Sequence, residues 1–515
     1  MGSRAAAILL LVLHAAVLAG ALISSLAPLA AVSSDPRTTT PAPWLDLIKD
    51  VPRWQALLGN TLVVVAVAVA VSLAVGTALA AVVFRIDARF RGLMVPLLFL
   101  AAAFPFYLSS AAVLAVIGIE PWRGAPLAAG LVHAVAHLPV ATLVIGVALR
   151  SVHPDLEETA MIDGAGTLRT LLSVTLPVAS GGLVAAMVIV ALWASTEYLV
   201  SDMLLLRTFA EEVYTQYALQ PRTAALVCVP QALFFAAALV ALRRRFLGTE
   251  PFTADESPCE RPRRLAAGRG RTPLSLAAGA AVLALAMNPI VSMAVPVRTV
   301  NRFVFHARSF VPEILTSLGA AAAAAVLTTF VAVGLAWFLV RRRHWRRFLV
   351  ASVVILLAVP APVLGMGMIR VFNHGGPLRY VYDSPAILVL AYTFRFLPLA
   401  TILLVPAVRA IPEERELAAK MDGCGAVGVW RHILWPACAP TAVATLFAVM
   451  VLSIGELPCS LLVTPPGVET IGARFFGLLH TGFEADLAAL GLCAVAAVAA
   501  PWILLTRLLR RRLFA

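Results

Sequence analysis

Glu157-Glu158-Thr159-Ala160-Met161-Ile162-Asp163-Gly164-Ala165-Gly166 and Glu416-Leu417-Ala418-Ala419-Lys420-Met421-Asp422-Gly423-Cys424-Gly425 are two copies of one pattern. The first runs on to Leu176-Pro177 and the second to Trp435-Pro436. Asp163 with Asp422, Gly164 with Gly423 and Pro177 with Pro436 share an offset of 259, as do Pro139 with Pro398, Arg150 with Arg409 and Glu197 with Glu456. So many pairs in one register mark a duplicated module. Each copy also carries its own structural instructions. Pro154 and Pro412 suit the first turn of a helix, where a missing N–H costs nothing. Asp155, Glu157 and Glu158 in one copy, and Glu413, Glu414 and Glu416 in the other, complement the positive end of that helix. Gly164 and Gly423 read as its C-caps. A short amphipathic helix follows (Leu168, Leu171, Leu172 and Leu176; Val429, Ile433 and Leu434), and Pro177 and Pro436 are expected to open the next long helix. The expected product is a stiff helix–turn–helix with a small-residue corner.

The chain around these copies is strongly apolar. Hydrophobic residues make up 61% and charged residues 13% of its 515 residues, with a mean hydropathy of +0.93. Soluble chains carry about 45–50% and about 25%. A membrane helix needs about 20 apolar residues. Candidates lie at roughly 5–32, 57–84, 92–118, 125–149, 178–200 and 221–242, and again at 273–296, 312–340, 348–372, 385–408, 437–463 and 486–507. The fold class expected is therefore an all-α polytopic membrane protein, with about 12 spans in two parallel repeats of six. Residues 1–242 form the first half with its loop at 150–177, 243–272 a basic linker, and 273–515 the second half with its loop at 409–436. The run after Arg4 is too long for a secretory signal, so the first span is read as retained.

The net charge of +13 sits in short clusters between apolar runs rather than in one basic domain. That distribution reads as topology and contact with acidic lipid, not nucleic-acid binding. The clusters favour one alternating set of loops, which places both termini, the linker and the two repeated loops on the cytoplasmic side of the membrane. Lys49 and Lys420 are the lysines among 40 basic residues, and neither closes a phosphate-cradling GxxxxGK[ST] loop. The six cysteines form no CxxC pair, so a zinc site or disulfide framework is not expected.

The repeated loops resemble the EAA loop of type I ABC importer permeases, approximately E-A-A-x-x-D-G-A followed by L-P. Glu158, Ala160, Asp163, Gly164, Ala165 and Leu176-Pro177 carry the resemblance in the first copy. In the second, Glu416 stands one residue early, Trp435 replaces the leucine, and Asp422, Gly423 and Pro436 keep their places. Two loops in one chain resemble the fused permeases of the iron(III), thiamine and related importers. The resemblance implies that the loops couple the chain to two copies of a separate ATPase, that ATP and magnesium bind there and not here, and that a periplasmic or lipid-anchored binding protein delivers the solute. The chain would then do no covalent chemistry, and its cargo, iron(III) by analogy, would be set largely by that binding protein; thiamine or a polyamine are alternatives. An ion-gradient-driven secondary transporter is the rival class, because it also favours internal repeats.

Several residues outside the loops have competing readings. Glu197 and Glu456 lie far along the helix after each loop, as a gate or substrate-path pair or as interfacial carboxylates. His133 and His137, four apart on one helix face, suit either a translocation path or interhelical hydrogen bonds; no metal is assigned to them. Arg395 falls mid-span, where a cation either faces a cavity or pairs with a carboxylate.

Overall fold

The computed structural model describes residues 50–219, 264–266, 268–482 and 484–513, with positions 12, 14–17, 19, 20, 22 and 23 of a preceding helix. The span 221–242, and most of 5–32 and 243–272, lie outside the described residues. Nearly everything else is helix, and among the described residues β pairing is confined to one isolated bridge between Ile86 and Leu265. Among the described residues, seven helices are long and apolar enough to cross a membrane, and three bent pairs bring the number to ten if each pair is one span. Together they fall on the ten expected spans that the described residues cover.

The bends correct the straight spans expected at 92–118 and 348–372. Helices α2 (Arg91–Ala103) and α3 (Phe106–Ile117) meet at 100°. In the second half, α9 (Arg343–Ala358) and α10 (Ala361–Phe372) meet at 105°. Both breaks precede a proline. Phe104 and Val359 are held extended, at ψ 137° and 122°, because a proline ring excludes the helical region for the residue before it.

Two compact units emerge, and they cut across the sequence halves. One comprises the described residues 50–215 and 264–298; the other comprises the described positions before residue 24, residues 216–219 and residues 299–513. Each therefore contains the leading helix of the opposite half. The helix Arg271–Val297 packs on α2 and α3 in the first unit, where Gly279 lets the Met94 methyl come close. Arg271 Nε donates to the Asp87 carbonyl at 2.7 Å, and Ser275 Oγ accepts from Arg89 N at 2.9 Å. In the second unit His14 seats against Gly334, with its ring 5.9 Å from Phe330 and 5.6 Å from Trp430.

The centre of the first unit is α1 (Val51–Ala80, extended by a π turn Ala81–Arg85), α4 (Pro126–Arg150) and α6 (Ser180–Thr196). The second unit repeats it with α8 (Val311–Arg341), α11 (Ala386–Arg409) and α13 (Trp435–Ile454). Between them in the chain lie α5 (Pro154–Ile162), α7 (Arg271–Val297) and α12 (Glu413–Met421). Some hydroxyls inside these helices bond the carbonyl four residues back, which satisfies their donor within the helix. Thr142 does so to Leu138 at 2.8 Å, and its repeat partner Thr401 does so to Leu397 at 2.7 Å.

Small residues set the helix spacing. A Cβ on Gly182 of α6 would lie 2.1 Å from the Ala148 Cβ of α4, whereas one on Gly181 would meet nothing within 4 Å. Gly182→Leu is therefore expected to push α6 off α4 and destabilise the unit by about 1–3 kcal/mol. Gly181→Leu should leave the midpoint of thermal unfolding in detergent near wild type.

Candidate functional site

Each repeated loop is a helix closed by a Schellman turn. In the first, α5 ends at Ile162; Ala165 N donates to Ala160 O at 2.9 Å and Gly164 N to Met161 O at 3.0 Å. In the second, α12 ends at Met421; Cys424 N donates to Ala419 O at 2.9 Å and Gly423 N to Lys420 O at 3.0 Å. These two bonds satisfy the last free carbonyls only if the glycine is left-handed. Gly164 has φ +85° and Gly423 φ +84°. Both glycines and both aspartates, Asp163 and Asp422, are exposed.

The second limb of each loop is also shared. A short helix (Thr167–Thr170; Ala426–Val429) passes into a π turn (Leu171–Thr175; Trp430–Leu434). Leu176 N bonds Leu171 O, and Trp435 N bonds Trp430 O. The widened turn comes immediately before Pro177 and Pro436, so each proline's missing donor falls where the ladder is already re-registered. Pro436 stands in the first turn of α13, as expected, and α13 continues without a sharp bend from the π turn before it. The expectation for Pro177 needs correction. In the first loop the break follows the proline: the chain bends by 68° between Val178 and Ser180.

One buried carboxylate fastens each loop to its own unit. Glu157 is fully buried, accepts from Arg85 Nε at 3.0 Å and from Thr175 Oγ1 at 2.6 Å, and forms an ion pair with Arg85, itself fully buried. Glu416, 3% exposed, accepts from Arg341 Nε at 2.8 Å and from Trp337 Nε1 at 3.1 Å. Glu157 and Glu416 keep the offset of 259. The structural counterpart of Glu416 is thus Glu157 rather than Glu158, which is exposed on the outer side of α5. Sequence reasoning missed both arginines. They end the helices α1 with its π turn and α8, within the basic clusters whose charge reads as topology. It missed Ile162 and Met421 as well. These large apolar side chains also keep the repeat register, and they are 84% and 88% exposed beside the glycine corner. Ala160, within the cap, is partly buried.

The residues read as path candidates divide between the units. Glu456 is buried past the end of α13; its oxygens accept from Cys459 N at 2.7 Å and Ser460 N at 2.8 Å, capping the turn Ser460–Val463. Arg395 of α11 donates to the Val359 carbonyl at 3.1 Å, at the α9–α10 break, and its charge reaches Glu456. Glu197 caps the end of α6, and its carboxylate accepts from Leu199 N at 3.3 Å. His133 and His137 are buried in α4, stacked on Phe106 with centroids at 5.1 and 4.6 Å, with Trp193 at 5.4 Å from His137. Among the described residues no group of three His, Cys, Asp or Glu is placed to hold a metal.

Comparison with known proteins agrees with the duplicated architecture. A family model, described as binding-protein-dependent transport system inner membrane component, matches twice, over residues 72–244 and 325–514. A Salmonella paratyphi A permease named for 2-aminoethylphosphonate transport is 28% identical over 30% of this chain and 57% of its own. A sulfoquinovosyl glycerol transport system permease of Agrobacterium fabrum is 32% identical over 22% of this chain and 39% of its own. An Fe(3+)-transport system permease of Haemophilus influenzae is 27% identical over 31% of this chain and 30% of its own. The chain spans little more than half the length of the phosphonate-transport relatives it matches. With seven to ten apolar spans among the described residues and two copies of the family's segment, it is a multi-pass inner-membrane protein. The chain belongs to the family of binding-protein-dependent transport system inner membrane components.

Proposed function

We propose that the chain is the permease subunit of an ATP-driven importer, and that its two loops dock a separate ATPase. The observation that carries this is the pair Ile162 and Met421. An apolar side chain exposed on a stiff corner, repeated in register in both halves, has an unfavourable contact with water that a partner's groove would remove. The buried Arg85–Glu157 and Arg341–Glu416 pairs make each corner rigid with its unit, so a push on the corner moves the helices behind it. Neither feature has a role in an ion-gradient-driven transporter. The loops, both termini and 243–272 face the cytoplasm in this reading, with ATP and magnesium on the partner and two ATPase copies for the two loops.

The three relatives are named for a phosphonate, a sugar glycerol and ferric iron. Cargo so different, shared across related permeases, supports specificity residing in the binding protein. Iron(III) is one cargo among these rather than a conclusion. Cysteines introduced one at a time at Ile162 and Met421, in a background without the native cysteines, are expected to crosslink to the co-expressed ATPase. Cysteines at Val116, near the end of α3, and at Phe305, in the helix Val300–Arg308, 70% and 77% exposed, should not. Absence of crosslinks at both corners, or equal crosslinking at the distant sites, would sink the proposal.

A further inference from the structure

The second unit holds a cavity of about 600 Å³ between the end of α8, the start of α9 and the second loop. Its rim carries Arg342, Arg343 and Lys420, and its walls Trp337, Trp345 and Trp430. None of the three cations forms an ion pair among the described residues; Arg342 lies over the Trp337 ring at 5.4 Å. Arg341, in the same wall, is already committed to Glu416 and to the Ile411 carbonyl. The cavity therefore gathers positive charge without matching carboxylates, against an indole-rich lining. Such a lining suits an amphiphile at the edge of a bilayer better than a hydrated ion, because indoles favour the headgroup level.

Among the described residues, the equivalent place in the first unit is occupied. Beside Arg85 the fully buried Leu265 fills the crevice, with its N donating to Arg85 O at 2.9 Å, while Ala266 O accepts from Thr167 Oγ1 at 2.7 Å.

We propose that this cavity binds the phosphate headgroup of an acidic phospholipid from the leaflet on the loop side, held between Arg342, Arg343 and Lys420. Lys420 belongs to α12, whereas the two arginines stand at the α8–α9 corner. A bound headgroup thus ties the second loop to its bundle by a link that depends on lipid. Only this consequence for coupling rests on the function proposed above; the binding does not.

The full-length chain, purified in neutral detergent, can be titrated with fluorescent phosphatidylglycerol, with phosphatidylcholine of the same tails, and with inorganic phosphate as competitor. Phosphatidylglycerol should bind in preference to phosphatidylcholine. The double variant Arg342→Gln, Arg343→Gln should weaken it by about thirtyfold, since each surface cation contributes about 1 kcal/mol to acidic-lipid attraction. Arg302→Gln with Arg308→Gln, the same charge loss on the exposed helix Val300–Arg308, should not. Equal binding of the two lipids, or an unaffected Arg342/Arg343 variant, would overturn the proposal. Displacement of the lipid by low-millimolar phosphate would overturn it too, in favour of a free anion. ATPase co-purification from the same preparations separates the two claims. Retained ATPase without lipid preference defeats this inference alone, and lipid preference without ATPase defeats the coupling proposal alone.

Discussion

Arg85→Ala is expected to destabilise the first unit by about 3–5 kcal/mol and to release its loop, because it leaves a carboxylate buried without its cation. Glu157 is fully buried, and only Thr175 Oγ1 would still donate to it at 2.6 Å. Water cannot reach the site without α5 lifting away. Removing both charges with side chains of similar volume, Arg85→Met with Glu157→Leu, should restore most of the stability, since breaking a buried pair costs more than replacing it. The second loop should respond less to Arg341→Ala. That arginine is 12% exposed, and Glu416 keeps the Trp337 Nε1 bond at 3.1 Å. Thermal unfolding of the single and double variants in detergent supplies the cycle. An Arg85→Ala protein as stable as wild type would show that the pair fastens nothing.

The loops were legible in the sequence because their instructions are local. Proline at the start, acids in the first turn and glycine at the corner each act within a few residues, and they appear as expected except that Pro412 stands just before its helix, at the N-cap. The register of the glutamate was not legible from the motif. Glu157 and Glu158 are chemically equal, and burial by Arg85, far upstream, decides which one turns inward. The offset of 259 that pairs Glu157 with Glu416 held that answer. The breaks at Pro105 and Pro360 were readable in principle, since a proline restricts its predecessor, but continuous hydrophobicity hid them. The exchange of leading helices left no trace at all. The apolar stripe of Arg271–Val297, with Ala278, Val282 and Ala286 buried, shows that one face is covered and not which half covers it. Nor could spacing reveal that His133 and His137 stack on Phe106 instead of meeting a third ligand.

Gly164→Val together with Gly423→Val is expected to abolish transport while the membrane bundle survives. A left-handed backbone costs an L-residue roughly 1–2 kcal/mol, and a β-branched side chain tolerates it worst. A Cβ at either glycine meets nothing within 4 Å, so the strain is purely conformational and stays in the corner. The turn relaxes by giving up the Ala165-to-Ala160 and Cys424-to-Ala419 bonds, and Ile162 and Met421 lose their common presentation. Asparagine, which adopts the left-handed region more readily, should preserve most function at both positions. The decisive measurement is co-purification of the cognate ATPase with each variant from detergent, paired with substrate-stimulated ATP hydrolysis in vesicles. The account predicts that the valine protein inserts and accumulates like wild type yet holds little ATPase and stimulates little hydrolysis, with the asparagine protein close to wild type. Wild-type assembly and wild-type stimulated hydrolysis by the valine protein would contradict the claim that these two corners couple the permease to its ATPase.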